Sequence, residues 1–515
     1  MMKNILWITA DQWRGDCLGC AGNPVISTPN FDALAAEGVR FARHYSPSTP
    51  CGPSRATMLT GMYPHNHRMV GNGTPLDGSL TNIALEMRKQ GYDPLLFGYT
   101  DITPDPRYLP AGDPALRSFE GVLPGFSVAE RLLEDSKRWL SWLRRQGYEI
   151  SQSGYEEIYQ PPAGEGDRVR RPARYKAEHS DTAWMTDRVI DHLQFVEGKP
   201  FFLHLSYLRP HPPYIAPEPY NRLYDPADIP LPKRASNWQA ESAQHPYHAY
   251  IAEQLPHSRF VKGEDSVAVT DLPLAEVQRM RAVYYGMVSE VDAQIGRLIA
   301  CLKDEGLYED TLIILTSDHG DMLGDHFMFS KENYFDSCFH IPLIIKPAKS
   351  ERVQSRPGTV VEAFTESIDL MPTILDLCGY QVPAQCDGFS LRPFLEGVDP
   401  TGWRDSVCAL LDFRDVEKQR GERHFGLAHD QCAMMSLRDR RFKYVHFAGL
   451  PPALYDLERD PDELLNIAEQ PEYREVQLRY AQKLLSWRMR NEYGALDKMK
   501  ASPTGMIVAN GGSTQ

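Results

Sequence analysis

Four times along this 515-residue chain, a short and continuously apolar run stops at a polar residue. KNILWITA (residues 3–10) ends at Asp11. The run at 94–98, in DPLLFGYTD, leads to Tyr99 and Asp101. The run at 200–207 leads through LRP to His211, and TLIILTSDHG reaches Asp318 and His319. Stretches of helical periodicity alternate with these runs: one at 29–41, and others opening the segments 79–101, 180–214 and 276–321. Several close on glycine. A strand that is apolar at every position must be buried on both faces, so the runs predict a mostly parallel sheet with helices covering both sides. In such α/β sheets ligands bind beyond the C-terminal ends of the strands. Asp11, Gln12, Tyr99, Asp101, His211, Asp318 and His319 are therefore expected at one edge, although they come from four distant segments.

The rest of the chain is arranged around that sheet. Residues 103–180 read as an insertion over the sheet edge, with a helix at 128–147 and the charged stretch GEGDRVRRPARYK. Residues 215–272 are proline-rich and read as a long excursion, a candidate lid. From about 400 the pattern changes. VCALLDF, CAMMSLRD, RFKYVHFAG and ALYDLERDPDELLNIA read as short antiparallel strands followed by a helix at 471–492. The expected organisation is a catalytic α/β domain over 1–400 and a smaller α+β subdomain over 401–492. A tail, 493–515, has no core pattern; it is expected to be disordered or to dock on another subunit, which suggests a homo-oligomer, a dimer or tetramer.

Composition narrows the function classes. A net charge of −14 argues against a general nucleic-acid binder, which needs a basic face. It leaves room for a small anionic substrate in a locally positive site. No run approaches the roughly 18 apolar residues of a membrane span, and the N-terminal run stops at Asp11, too early for a secretory signal. Nine scattered cysteines fit a reducing compartment better than a disulfide framework. A cytoplasmic protein is expected. Cys17 and Cys20 form C-x-x-C, but no second pair follows at zinc spacing, so two small buried residues are preferred to a redox or zinc half-site.

Two features carry chemistry. Asp11-Gln12 and Asp318-His319 each follow an apolar strand. Together they offer three oxygens and an imidazole, a set suited to Ca²⁺, Mg²⁺ or Mn²⁺. CGPSRATMLTG (51–61) then places a thiol four residues before Arg55, with Pro53 suited to the first turn of a helix. Cys51 would sit at that helix start, at the positive end of its dipole. A core cysteine, a nucleophilic thiolate, a metal ligand and a Cys-His-Asp hydrolase all remain open at this point.

CGPSR fits C-x-P-x-R, and LTG follows at 59–61. With the N-terminal Asp-Gln, the later DHGD and LYDLERDPDELLNIA, the chain resembles the sulfatases of the alkaline phosphatase superfamily over roughly residues 3–490. The resemblance implies that Cys51 is oxidised by a formylglycine-generating maturation enzyme, which reads Pro53 and Arg55. The hydrated aldehyde would attack sulfur or phosphorus and then expel the anion by elimination, a step open to a geminal diol and closed to serine. It implies one divalent metal, Ca²⁺ or Mn²⁺, held by Asp11, Gln12, Asp318 and His319 with Cys51 facing it. Arg55 would hold the diol and anion charge, Lys331 in MFSKENYF a substrate oxygen, and His211 in LRPHPPY the leaving group. Asn72 in VGNGTP would be a further polar contact.

Two departures bear on substrate. Many sulfatases have Asp-Asp where this chain has Asp11-Gln12. Arylsulfatases commonly carry Gly-Lys-x-His where this chain reads FGYTD, so Tyr99, Thr100 and Asp101 stand in place of cationic groups. That resembles the branch of phosphonate monoester hydrolases and their arylsulfatase relatives. Fewer cations favour a singly charged sulfate ester, phosphonate monoester or phosphodiester over a dianionic phosphate monoester. The expectation is a sulfate monoester hydrolase of the arylsulfatase type, promiscuous towards phosphonate monoesters and phosphodiesters. A phosphonate monoester hydrolase or phosphodiesterase, a plain metal-dependent phosphatase and a non-enzymatic binding protein are the alternatives.

Overall fold

The computed structural model describes residues 3–151, 154–164, 166–196, 198–263, 267–349, 356–494 and 499–508. Nine strands build the main sheet: β1 (Asn4–Ala10), β2 (Val39–Tyr45), β3 (Pro94–Gly98), β4 (Ser127–Arg131), β5 (Phe202–Tyr207), β6 (Thr311–Thr316), β7 (His340–Ile341), β8 (Leu343–Lys346) and β9 (Thr359–Glu366). Their order is β4-β3-β5-β1-β6-β8-β2, with β7 and β9 pairing β2. The strands β4, β3, β5, β1 and β6 are mutually parallel. β8 runs against both β6 and β2, whereas β9 runs parallel to β2. The sheet is thus mixed but mostly parallel, as the apolar runs predict.

Alternate residues of the central strands enter two different cores. Leu6, Ile8, Leu203, Leu205, Ile313 and Leu315 face the helices Asp181–Leu193 and Leu274–Asp304. Ile5, Trp7, Phe202, Leu312 and Ile314 face the helices Cys51–Thr60, Ile83–Lys89 and Leu370–Leu377. This is why no polar alternation shows in their sequences.

Two expected helices are shorter than their sequences suggest. The helix expected at 29–41 covers Pro29–Glu37, and residues 39–41 already belong to β2. Gly38 separates the two elements, where a Cβ would lie 2.6 Å from the Ile345 carbonyl oxygen. The helix expected at 128–147 is instead β4 followed by a helix at Lys137–Arg145. Backbone pairing with β3 decides this, so the 103–180 region supplies an edge strand as well as covering the sheet. Residues 215–272 hold no strand among those described. Their short helices Trp238–Ser242 and Pro246–Glu253 lie against the C-terminal subdomain, through Gln244 to the Leu464 carbonyl and His245 to the Pro451 carbonyl.

That subdomain is a four-stranded antiparallel sheet in sequence order, β10 (Val407–Asp412), β11 (Ala433–Arg438), β12 (Phe442–Phe447) and β13 (Ala453–Asp456). The helix Arg474–Arg490 covers one face with Tyr480 and Leu484, while Val407, Ala409 and Val445 join the main core. The Leu410 N–H donates to the Pro47 carbonyl, so β10 is tied just before Cys51. The tail is not wholly irregular. Met499–Ser502 and Gly505–Val508 pair as an antiparallel hairpin with exposed Met506 and Ile507. No helix among the described residues is long and apolar enough to cross a membrane.

One buried charge site gives a stability prediction. Glu290 lies in the middle of the helix Leu274–Asp304, and burial pushes its carboxyl up to about 8, with Asp181 adding to the rise. The folded chain then keeps a proton that the unfolded chain releases from about pH 4.5 upward. This contribution is present at low pH and is lost as pH rises through 8. Glu290→Gln should be near neutral at pH 5 and should stabilise by up to about 5 kcal/mol at pH 9. Urea unfolding at the two pH values checks this, and an equal effect at both would contradict it.

Candidate active site

The C-terminal ends of the parallel strands deliver the site. Asp11 follows β1, Tyr99 and Asp101 follow β3, His211 follows β5, and Asp318 and His319 follow β6. Gly98 lets β3 and β5 close tightly there: its φ is +112°, and a Cβ would lie 2.1 Å from the Ser206 carbonyl oxygen. The helix Cys51–Thr60 starts at this edge, with its first residue buried. Asn72 accepts the Gly52 N–H at 2.9 Å, which satisfies one of the free donors of that helix start. The exposed Asn72 side chain also lines a cavity beside that helix start.

Asp11, Cys51, Asp318 and His319 each present a ligand atom, and these atoms all lie within 4.8 Å of one another. The His319 Nδ1–H donates to the Gly320 carbonyl at 3.0 Å, which leaves Nε2 as the lone-pair atom. That Nε2 lies 3.2 Å from Cys51 Sγ, 3.8 Å from Asp11 Oδ1 and 3.7 Å from Asp318 Oδ2. Asp11 Oδ1 is buried and has no hydrogen-bond partner. An orphaned carboxylate oxygen beside an aligned imidazole fits a divalent cation that takes oxygen and nitrogen ligands.

Arg55 is fully buried under this cluster. Its Nε donates to Asp318 Oδ2 at 3.0 Å, its Nη2 to Asp11 Oδ2 at 3.0 Å and its Nη1 to Ser206 Oγ at 2.7 Å. The guanidinium also stacks 4.2 Å from the Tyr99 ring, and Tyr99 OH donates to Asp11 Oδ2 at 2.5 Å. Arg55 therefore fixes the two carboxylates, with its donors turned to them. Asp101 lies 3.8 Å from Arg55 Nε, and its backbone holds φ +52°. Burial pushes its carboxyl well up, Arg55 opposing and Asp11 adding to the rise.

Gln12 occupies a strained backbone position, with φ +65°. Its amide nitrogen donates to Asp321 Oδ2 at 2.5 Å, which turns Oε1 towards Lys331 Nζ at 2.8 Å. Asp321 is held in turn by Tyr214 OH and by the N–H groups of Leu323 and Ser330. A carboxylate at position 12 would face Asp321 with no proton to donate, so the amide suits this site. Lys331 Nζ lies 3.2 Å from Cys51 Sγ. Burial alone would lower its pKa, but the surrounding groups, the carboxylates of Asp11, Glu332 and Asp318 among them, outweigh it and hold the amine protonated.

Charge also shapes the other titrating groups. Burial and the carboxylates of Asp11, Asp318 and Asp101 push the Cys51 thiol well up, with Lys331 opposing. An unmodified Cys51 is thus a thiol and not a thiolate, which disfavours a cysteine hydrolase. Burial would raise Asp11, but His211, Arg55, Lys331 and His319 hold it well below the usual carboxylate range. Burial, then Lys331, pushes His211 down to about 3. Its Nδ1 donates to the Pro212 carbonyl at 2.7 Å, so Nε2 carries the lone pair.

All eleven residues singled out in the sequence lie at or around this edge. Ser206, Asp321 and Tyr214 belong to it as well; of these, only Asp321 stood in a recognised motif, DHGD. A cavity of about 480 Å³ lies next to the start of the Cys51 helix, with Pro50, Asn72, Tyr247, Arg259 and Glu332 on its wall; Cys51, Asp11, Asp318, His319 and Lys331 do not line it. Residues 411–417 of the C-terminal subdomain complete that wall.

The family model described as Sulfatase matches residues 3–380, and that of the N-sulphoglucosamine sulphohydrolase C-terminal region matches 324–490. The multifunctional alkaline phosphatase superfamily protein PehA of Trinickia caryophylli is 40% identical over 99% of both chains. An arylsulfatase of Clostridium perfringens is 30% identical over 94% of both. The crystal structure of the phosphonate monoester hydrolase of Agrobacterium radiobacter superposes with a TM-score of 0.94 at 44% identity, covering 99% of this chain and 100% of that one. With the C-x-P-x-R helix start, the paired strand-end ligands and the mostly parallel sheet, these matches show that the chain belongs to the sulfatase family, on the fold of the alkaline phosphatase superfamily.

Proposed function

We propose that this hydrolase of sulfate or phosphonate esters is a formylglycine-dependent metalloenzyme acting on singly charged esters. Phosphonate monoesters and phosphodiesters would be its main substrates, with sulfate monoesters alongside. The observation that carries the charge preference is the commitment of Arg55 to Asp318, Asp11 and Ser206. Lys331 is then the amine that faces Cys51, and one such cation matches a monoanion better than a dianion. The weight given to phosphorus over sulfur rests on the 44% identity to a phosphonate monoester hydrolase, against 30% to an arylsulfatase. Sulfate monoesters as the main substrate are the second reading, which the arylsulfatase match supports.

In this reading Asp11, Asp318, His319 and the Gln12 amide oxygen hold a divalent cation, Ca²⁺ or Mn²⁺. When bound, it would neutralise charge developing on the ester and acidify the nucleophile. The hydrated aldehyde made from Cys51 by a maturation enzyme would supply that nucleophile. Lys331 binds a non-bridging oxygen of the ester. His211 is neutral in the free protein; a bound anion raises its pKa and lets it protonate the departing oxygen. The nine free cysteines support a reducing, cytoplasmic location. The hairpin Met499–Val508, with Met506 and Ile507 exposed, is the proposed contact with a second copy.

The test is a kinetic panel on one preparation: a phenyl phosphonate ester, an aryl phosphodiester, an aryl sulfate and an aryl phosphate monoester. The three monoanions should exceed the dianion in kcat/KM by about 100-fold, the worth of one mismatched charge in a partly buried site. Efficient turnover of the dianion alone would sink the proposal and restore a plain phosphatase.

A further inference from the structure

We infer that Arg209 is a positioning residue for His211, acting with Asp181 and Tyr159 as a buried clamp on the turn that carries the histidine. The inference rests on the reading of His211 at the leaving group. Arg209, Asp181 and Tyr159 are each at most 1% exposed. Arg209 Nη1 donates to the carbonyl oxygens of His211 at 2.8 Å and Pro213 at 3.2 Å. Its Nε donates to Asp181 Oδ2 at 3.2 Å, and its guanidinium lies 4.4 Å from the centre of the Tyr159 ring. Tyr159 OH donates to the same Asp181 oxygen at 2.8 Å. Asp181 opens the helix Asp181–Leu193, whose Ser180 cap accepts the Ala183 N–H.

The chain of contacts runs from a rigid helix end, through one carboxylate and one guanidinium, to two backbone carbonyls of the PHPP turn. The His211 Nδ1 reaches the Pro212 carbonyl, which lies between the two carbonyls that Arg209 grips. The clamp thus sets the peptide plane that fixes the imidazole tautomer. A proton donor to a leaving group must hold its atom to within a fraction of an ångström. An ammonium has no planar fork, so lysine at 209 keeps the ion pair with Asp181 but loses the grip on both carbonyls.

The experiment compares Arg209→Lys, His211→Ala and the double variant on phenyl and 4-nitrophenyl esters of the anion that is turned over fastest. His211→Ala should cost more on the phenyl ester, whose leaving group needs a proton. Arg209→Lys should copy that asymmetry, losing about 10- to 100-fold in kcat on phenyl and less than about 3-fold on 4-nitrophenyl. In the His211→Ala background it should cost nothing further. Equal losses on both esters, or losses that add to those of His211→Ala, would overturn the inference. If His211→Ala itself shows no asymmetry, its leaving-group role fails. The clamp is then decided by the Nδ1–H signal of His211 in ¹⁵N-histidine spectra, which Arg209→Lys should shift or abolish; an unchanged signal rejects it. Should Arg209→Lys not fold by circular dichroism, Asp181→Asn serves in its place with the same expected pattern.

Discussion

Cys51→Ser should destroy steady-state turnover of every ester, by at least about 10⁴-fold in kcat/KM, although it places a hydroxyl beside Lys331 and His319. The hydroxyl can attack sulfur or phosphorus once. What it lacks is the second oxygen on the same carbon. A serine ester must then wait for water to reach a buried centre, whereas a hydrated aldehyde expels the anion by losing a proton. The serine variant should therefore gain about 80 Da on incubation with an aryl sulfate and then stall, a covalent burst of one equivalent. Cys51→Ala should show neither burst nor turnover. In the active wild-type protein the peptide around Cys51 should weigh about 18 Da less than its sequence mass, the change from thiol to aldehyde. Full activity in a sample whose Cys51 peptide carries only cysteine would end the formylglycine mechanism. The raised Cys51 pKa sharpens the contrast, because such a sample has no ready thiolate to substitute.

The strands that carry the chemistry were legible for a physical reason. β1, β5 and β6 are buried on both faces, so their sequences are largely apolar, and the polar segments that follow them mark the sheet edge. β2 and β4 were not legible. VRFARHY and SVAER are half-exposed, and only backbone pairing with β8, β9 or β3 makes them strands. The same limit applies inside the site. Ser206 is one small residue in FLHLSY, and nothing in that stretch marks it as a partner of Arg55 or shows that Gly98 of β3 packs against its backbone. Gln12 read as a missing carboxylate, yet Asp321, over three hundred residues away, requires an amide there. The 411–417 wall of the cavity could not be placed because β10 meets the segment before Cys51 through backbone pairing, Leu410 N–H to the Pro47 carbonyl, which leaves no mark in either sequence.

Asp318→Asn should remove metal-dependent stability together with activity, lowering kcat/KM by about 10³-fold or more. Asp318 uses both oxygens. Oδ1 accepts the backbone N–H of Gln12 at 3.1 Å and of His319 at 2.9 Å, and Oδ2 accepts Arg55 Nε at 3.0 Å. An asparagine has one oxygen to offer. Whichever way its amide turns, an NH₂ faces either two backbone donors or a guanidinium. Each clash leaves a buried donor unsatisfied at about 1–3 kcal/mol, and Arg55 loses one carboxylate partner of its buried cluster. Chelation separates the metal effect from the packing effect. Wild-type protein should drop in Tm with chelator and recover with added Ca²⁺ or Mn²⁺, by an amount equivalent to about 3 kcal/mol at a hundredfold excess over Kd. The variant should start below the chelated wild type, by the cost of its unsatisfied donors, and respond to neither treatment. A wild type indifferent to chelator, beside a variant that keeps a full equivalent of metal by elemental analysis, would show that Asp11, Asp318 and His319 do not hold the metal and that Lys331 is the cation that faces the ester.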